Sequence, residues 1–250
     1  MKDLERRSTH VLFCTGFIGY RYTISGKSRE ARLMISLASA GLSCQTAFQL
    51  ARFVGEQPFR LSFAQGPIDW LICPPDSLAD WLDAGMPLFE RGELDVRKGQ
   101  VWWQRFDIYF WHGFYTRSIQ TRWGPTQPRL DIKATFNHEL SELAHQREKF
   151  ARLDPLNTRF FVSNTQNNLE SAVFTSGEEH RYRFSAATIQ RLRDSLTRFY
   201  GGPIRLHCVT RSDRASASLL GKADTFVLDP DQSEWSGEES GWNALLKQCL

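Results

Sequence analysis

The sequence predicts an α/β fold of three layers, a mainly parallel sheet with helices on both faces. Three observations carry this. Short apolar runs alternate with stretches of helical periodicity in the first unit and throughout the second half, the order that parallel strands and their crossover helices impose. Of 250 residues, 41% are apolar and 13% aromatic, enough for a large core. One helix is marked at both ends, by Ser185 in front and by Gly201-Gly202-Pro203 behind. We expect a single domain over 1–250, with 1–30 as a hairpin-like extension.

Each element has a local reason. Aromatic and β-branched runs broken by glycine over 10–26 suggest a hairpin. Leu33–Ala38 is a short apolar run of buried-strand type, and Ser39-Ala40-Gly41 is a turn of small residues. Behind it, Ala47, Leu50, Ala51 and Val54 recur at helical spacing, with Ser43 as N-cap and Cys44 in the first turn. A second helix is expected from Ser77 after Pro74-Pro75, with Asp80 completing a capping box. Residues 100–111 are dense in β-formers and predict two short strands. Further expectations are a helix over 137–153 capped by Asn137, a strand over 159–163 and the marked helix over 185–200. Strands over 204–209 and 225–228 and a short helix from Gly241 complete the chain.

Composition narrows the function classes. Lys and Arg number 31 against 28 Asp and Glu, a net charge of +3. That is too small an excess for a nucleic-acid partner without a basic stripe, and the arginines around 181–198 read as a solvated helix face. No run of about 18 apolar residues occurs, so no membrane span is expected. The cysteines, Cys14, Cys44, Cys73, Cys208 and Cys249, are odd in number and form no Cys-x-x-Cys pair, so neither a metal nor a cofactor is expected. The N-terminus does not read as a secretory signal. The expected compartment is the cytoplasm with reduced thiols; a chain exported into another cell would read the same.

In an open parallel sheet the site lies at the carboxyl ends of the strands, which points to the turn at 39–44. Cys44 has the features of a nucleophile: a helix N-terminus lowers a thiol pKa, and its N–H groups can hold an oxyanion. The plain alternative is a small buried core residue. A base is then needed, and His112, past a strand and before Gly113, fits; alternatively it is an edge histidine held by the backbone. Asp69, a carboxylate in the otherwise apolar Gly66-Pro67-Ile68-Asp69-Trp70, is the orienting group, or else a turn-forming aspartate. Asp107 competes but reads as a surface strand position. His138, His145 and His180 read as solvated, and His207 as structural.

Ile35-Ser36-Leu37, Ser43-Cys44-Gln45-Thr46-Ala47-Phe48-Gln49-Leu50, Gly66-Pro67-Ile68-Asp69-Trp70-Leu71 and Tyr109-Phe110-Trp111-His112-Gly113-Phe114 follow one another in this order. The series resembles a bacterial family of unknown function described as papain-like cysteine peptidases, over about residues 33–165. The resemblance implies Cys44 as nucleophile, His112 as base and Asp69 as its partner. Gln45, Ser43 and Trp70 take oxyanion- or substrate-binding positions. Ile68 stands where the family has an aromatic, and Gly113 where it has an acidic residue. Cys-Gln after a first strand also resembles the acetyltransferase-like proteins of capsule polysaccharide synthesis, built on an α/β sheet.

Three function classes follow. One is a thiol-dependent hydrolase, peptidase-like or amidase-like, acting on a small-molecule, peptide or acyl substrate. The second is a Cys/His acyltransferase using a thioester donor such as acyl-CoA. The third is a non-catalytic domain binding a ligand or protein along the aromatics of 102–114. The oligomeric state is open. A papain architecture would set a helical half against a β-barrel half, whereas the strand–helix alternation demands a parallel sheet.

Overall fold

The computed structural model describes residues 34–57, 60–118, 120–122, 124–167, 169, 178–228 and 237–250. The hairpin expected over 10–26 and the extension over 1–30 lie outside the described residues.

The first part of the chain runs β1 (Ile35–Ser39), α1 (Cys44–Glu56), β2 (Leu61–Ala64), β3 (Leu71–Ile72) and α2 (Pro75–Asp83). Next come β4 (Leu94–Arg97), β5 (Gln100–Trp103), β6 (Ile108–Phe110), β7 (Gln120–Thr121) and β8 (Gly124–Pro125). The second half holds α3 (Ile132–Ala151), β9 (Thr158–Ser163), α4 (Ala186–Tyr200), β10 (Arg205–Thr210), β11 (Thr225–Val227) and α5 (Glu239–Gln248).

Five strands form the main sheet in the order β11-β10-β9-β1-β2, every neighbouring pair parallel. Strand order reverses direction between β1 and β9, the crevice where doubly wound sheets bind ligands. Both faces are covered, which is why all six residues of β9 are buried. Alternation sorts the side chains between two cores. Ala38, Phe160, Val162, Leu206 and Cys208 pack with α2, α3 and α4. Leu37, Phe161 and Val209 pack with α1 and α5, through Leu50, Phe53, Trp242 and Leu246. The expected three-layer α/β architecture is therefore the one built, and the papain-like division into helical and barrel halves is not.

A second sheet, antiparallel in the order β3-β6-β5-β4, was not foreseen. Its aromatics are mostly core. Trp103, Phe106, Tyr109, Phe110 and Phe114 are buried, and Trp103 meets Trp81, Phe89 and Phe106 edge-on. They pack against one another because the apolar area of such rings is worth more there than against water; Phe106 also borders a cleft with Asp76 and Arg181.

Helix α4 follows its local marks: the Ser185 hydroxyl accepts from Thr188 N, and Gly201 closes the helix in the left-handed conformation. Its arginines are spoken for. Arg191 pairs with Asp76 and Asp80, Arg193 with Asp224, and Arg198 with Asp83. Other boundaries need correction. Helix α2 begins at Pro75, whose missing N–H suits a first helical position, and Ser77 instead donates to the Asp107 carbonyl at 3.5 Å. Helix α3 starts earlier than expected, capped by Asp131, which accepts from Ala134 N. Asp107 is not a regular strand position: it turns the chain between β5 and β6 at φ +56°, accepts from Trp102 and pairs with Arg181.

Candidate active site

Cys44 opens α1 at the carboxyl end of β1, beside the switch between β1 and β9. The loop that delivers it is tied down on two sides. Gly41 O accepts from Ser163 N at 3.0 Å and from the Thr46 hydroxyl at 3.1 Å, and Cys73 N donates to Leu42 O at 2.9 Å. Gly41 stands at φ +87°, and a Cβ there would lie 2.8 Å from the Cys73 carbonyl oxygen. Only glycine allows that turn together with that approach. The segment 66–73 is thereby held against the loop preceding the cysteine.

That segment carries Asp69, which is 2% exposed. Its Oδ2 accepts from Gly66 N at 2.9 Å, while Oδ1 has no hydrogen-bond partner. Burial pushes its carboxyl up to about 7, against the opposing pull of the Gly66 N–H and of Lys149. Cys44 is its electrostatic neighbour. Burial pushes the thiol up to about 11; its own backbone N–H works the other way, and the Asp69 charge adds to the rise. The lowered thiol pKa expected from the helix terminus is therefore overturned, because desolvation of a thiolate outweighs a first-turn dipole at a buried position.

Ser43 has the extended backbone of an N-cap, yet its hydroxyl makes no capping bond, is 1% exposed and has no partner. An orphaned buried hydroxyl of this kind costs about 1–3 kcal/mol. The Gln45 side chain is buried, and its Oε1 accepts from the Thr165 hydroxyl at 2.6 Å, which in turn meets Ser163 Oγ at 2.8 Å. Gln45 thus joins α1 to the loop after β9. The polar run Ser163-Asn164-Thr165-Gln166 is buried at the switch point. It was missed from the sequence, although small polar residues directly after an apolar strand were a usable signal.

His112 lies just beyond β6. It is exposed, with its ring edge-on to Trp70 at 5.7 Å and to Trp111 at 6.5 Å. The desolvation that remains lowers its pKa, which keeps the ring neutral at pH 7. The β3–β6 register pairs Leu71 with Phe110 and Ile72 with Tyr109 and ends there, with 67–70 in turns and 111–112 in bends. Asp69 acts electrostatically on Cys44, and His112 meets the ring of Trp70, the residue next to Asp69 in the chain. Among the described residues its ring hydrogen-bonds neither Cys44 nor Asp69. Trp70 itself is 42% exposed.

Two clefts open elsewhere: one of about 600 Å³ between Met86, His145, Arg147 and Phe199, and one of about 240 Å³ between Asp76, Ser77, Asp107 and Arg181. Neither is lined by the three site residues. Among the described residues no group of three or more His, Cys, Asp or Glu side chains is placed to hold a metal ion, and no helix is long and apolar enough to cross a membrane. Comparison with protein-family models, with curated proteins and with solved structures finds no match.

The position of Asp69 has a consequence for stability. Its folded pKa, about 7, lies above the ordinary 3.8, so between those values the folded chain holds a proton that the unfolded chain has released. The contribution is fully present below about pH 4 and is lost as pH rises through about 7. Urea unfolding of the parent and of Asp69→Asn across that range should show the parent falling relative to the variant as pH rises. Parallel curves would mean that Asp69 ionises as freely in the fold as outside it.

Proposed function

We propose that the chain is a thiol-dependent hydrolase with Cys44 as nucleophile, acting on a small-molecule, peptide or acyl substrate. The observation that carries this reading is the thiol opening α1 at the switch point, next to a buried carboxyl with one unpartnered oxygen. Cys44 Sγ bonds to the substrate carbonyl carbon while His112 takes the thiol proton and passes it to the leaving amine or alcohol. Water then adds to the acyl-enzyme, His112 removes its proton, and the acid and the free thiol are released. Asp69 Oδ1 is suited to accept from the imidazole as it becomes positively charged. The order of the four short motifs, which resembles that of the papain-like bacterial family, supports the same roles. We place the reaction in a reducing compartment such as the cytoplasm, in keeping with the free thiols of Cys44, Cys73, Cys208 and Cys249.

A second reading, acyl transfer from a thioester, is favoured by one observation: Cys44 is only 7% exposed. A dry acyl-enzyme is protected from water and survives until an acceptor arrives. Both readings are tested by offering p-nitrophenyl acetate and acetyl-CoA to the parent and to Cys44→Ala, with intact-mass detection and peptide mapping. One acetyl group on the Cys44 peptide, absent from the variant, is expected; rapid loss in water marks a hydrolase, and persistence marks a transferase. Label confined to Cys249 or to lysines would end both readings and leave a binding domain.

A further inference from the structure

We propose that Ser43 is a further catalytic residue, its hydroxyl donating to the oxyanion that forms when Cys44 adds to a carbonyl. The inference rests on the thiol chemistry proposed above. Its basis is a contrast within the structure. The buried hydroxyls around the site are engaged: Ser39 accepts from Gly41 N, Thr46 donates to Gly41 O, and Ser163 and Thr165 meet each other. Farther away, Thr158 donates to Asp154 O, and Thr210 to Arg211 O. Among the buried serine and threonine hydroxyls of the described residues, Ser43 alone has no partner. It stands immediately before the nucleophile and in the N-cap position, where a serine ordinarily bonds the first-turn amides. This one leaves them unbonded by its side chain.

Two unpartnered polar groups therefore belong to the two segments that meet at the thiol's loop, and they differ in kind. Asp69 Oδ1 is an acceptor on the side of the 66–73 segment, and Ser43 Oγ–H is a donor on the side of the helix terminus. Addition of a thiol to a carbonyl needs this division. The proton goes to His112, whose imidazolium requires an acceptor such as Asp69 Oδ1, and the oxygen that gains the electron pair requires donors. The Cys44 backbone N–H, a first-turn amide with no carbonyl acceptor within the helix, is the second donor to the oxyanion beside Ser43. When the tetrahedral intermediate collapses, the electron pair returns to the carbonyl and the leaving group departs with its proton.

The test compares two reactions at the same sulfur. Acetylation of Cys44 by p-nitrophenyl acetate passes through an oxyanion, whereas alkylation by iodoacetamide displaces iodide at carbon and forms none. Ser43→Ala should slow acetylation about 10²-fold, the usual loss for one oxyanion donor, and leave the alkylation rate unchanged. Ser43→Thr, which keeps the hydroxyl, should recover most of the acetylation rate. The alanine variant removes a buried hydroxyl without a partner, so its urea midpoint is expected to equal or exceed that of the parent. Equal acetylation of parent and Ser43→Ala overturns the proposal alone. Equal slowing of both reactions, or a variant too unstable to assay together with a threonine variant no better than alanine, assigns Ser43 a packing role and overturns it also. A parent that alkylates at Cys44 but never acetylates there ends the thiol-acyl reading itself.

Discussion

Replacing His112 by alanine should slow acetylation of Cys44 by about 10²-fold or more, the usual contribution of a positioned general base. The expectation is demanding because the resting geometry does not bond His112 to the thiol. A thiol pushed up to about 11 is protonated at neutral pH, so its proton needs a neutral acceptor. His112, whose ring meets Trp70 next to Asp69, is a candidate for it, and desolvation lowers its pKa and favours the neutral ring. Stopped-flow release of p-nitrophenolate from the parent, His112→Ala and Asp69→Asn, across pH, separates the roles. If His112→Ala acetylates at the parent rate while Asp69→Asn is slow, the carboxyl beside the thiol is the base and the histidine is an exposed neighbour of Trp70.

The second large effect is on stability, at Asn164. This residue is fully buried after β9. Its Nδ2 donates to Tyr182 O at 2.9 Å and Arg214 O at 3.0 Å, and its Oδ1 accepts from Arg211 N at 3.2 Å. One amide thus joins the end of β9 to the loop after β10 and to the approach to α4. Asn164→Ala strands the Arg211 N–H and removes the two bonds the amide gives to carbonyls; the Arg214 carbonyl keeps its bond from Phe184 N. At about 1–3 kcal/mol for a stranded buried group, a loss of about 2 kcal/mol is expected. That is a large share of the roughly 5–15 kcal/mol typical of a domain. Urea titration with an unchanged slope checks it, and Gln190→Ala, which breaks an exposed contact with Asp194, should move stability by less than about 0.5 kcal/mol. A shift at Asn164 no larger than that of the control would show that these carbonyls and amides find other partners.

The same loop explains how position and chemistry meet. Ser163 is bonded to Gly41 and Leu42, Thr165 to Gln45, and Asn164 to the β10 side. The turn before Cys44 is therefore braced by the strand across the switch point. A weakened Asn164 clamp is expected to be felt at the thiol as well as in the urea midpoint.

What the sequence determined by itself is what depends on near neighbours in the chain. The apolar runs of β1, β9 and β10, the stripe and caps of α4 and the helix behind Ser43 were legible because pleat, helical period and capping act over a few residues. The parallel order followed, since alternating strands and helices admit few other arrangements. The antiparallel sheet was not legible: β3 has only two residues, and it pairs with β6 far along the chain. Nor were the charge states of the site. Proximity to a helix terminus predicted a lowered thiol pKa, but burial of Cys44 and Asp69 is a property of the packed fold, and desolvation there reversed the sign. The sequence makes the hydroxyl of Ser43 a cap by local rule and an oxyanion- or substrate-binding position by motif, and neither reading shows its burial. Tertiary structure alone decided that it would be buried beside the nucleophile with no partner, because a side chain's solvent and partners are set by segments that meet only after the chain has folded.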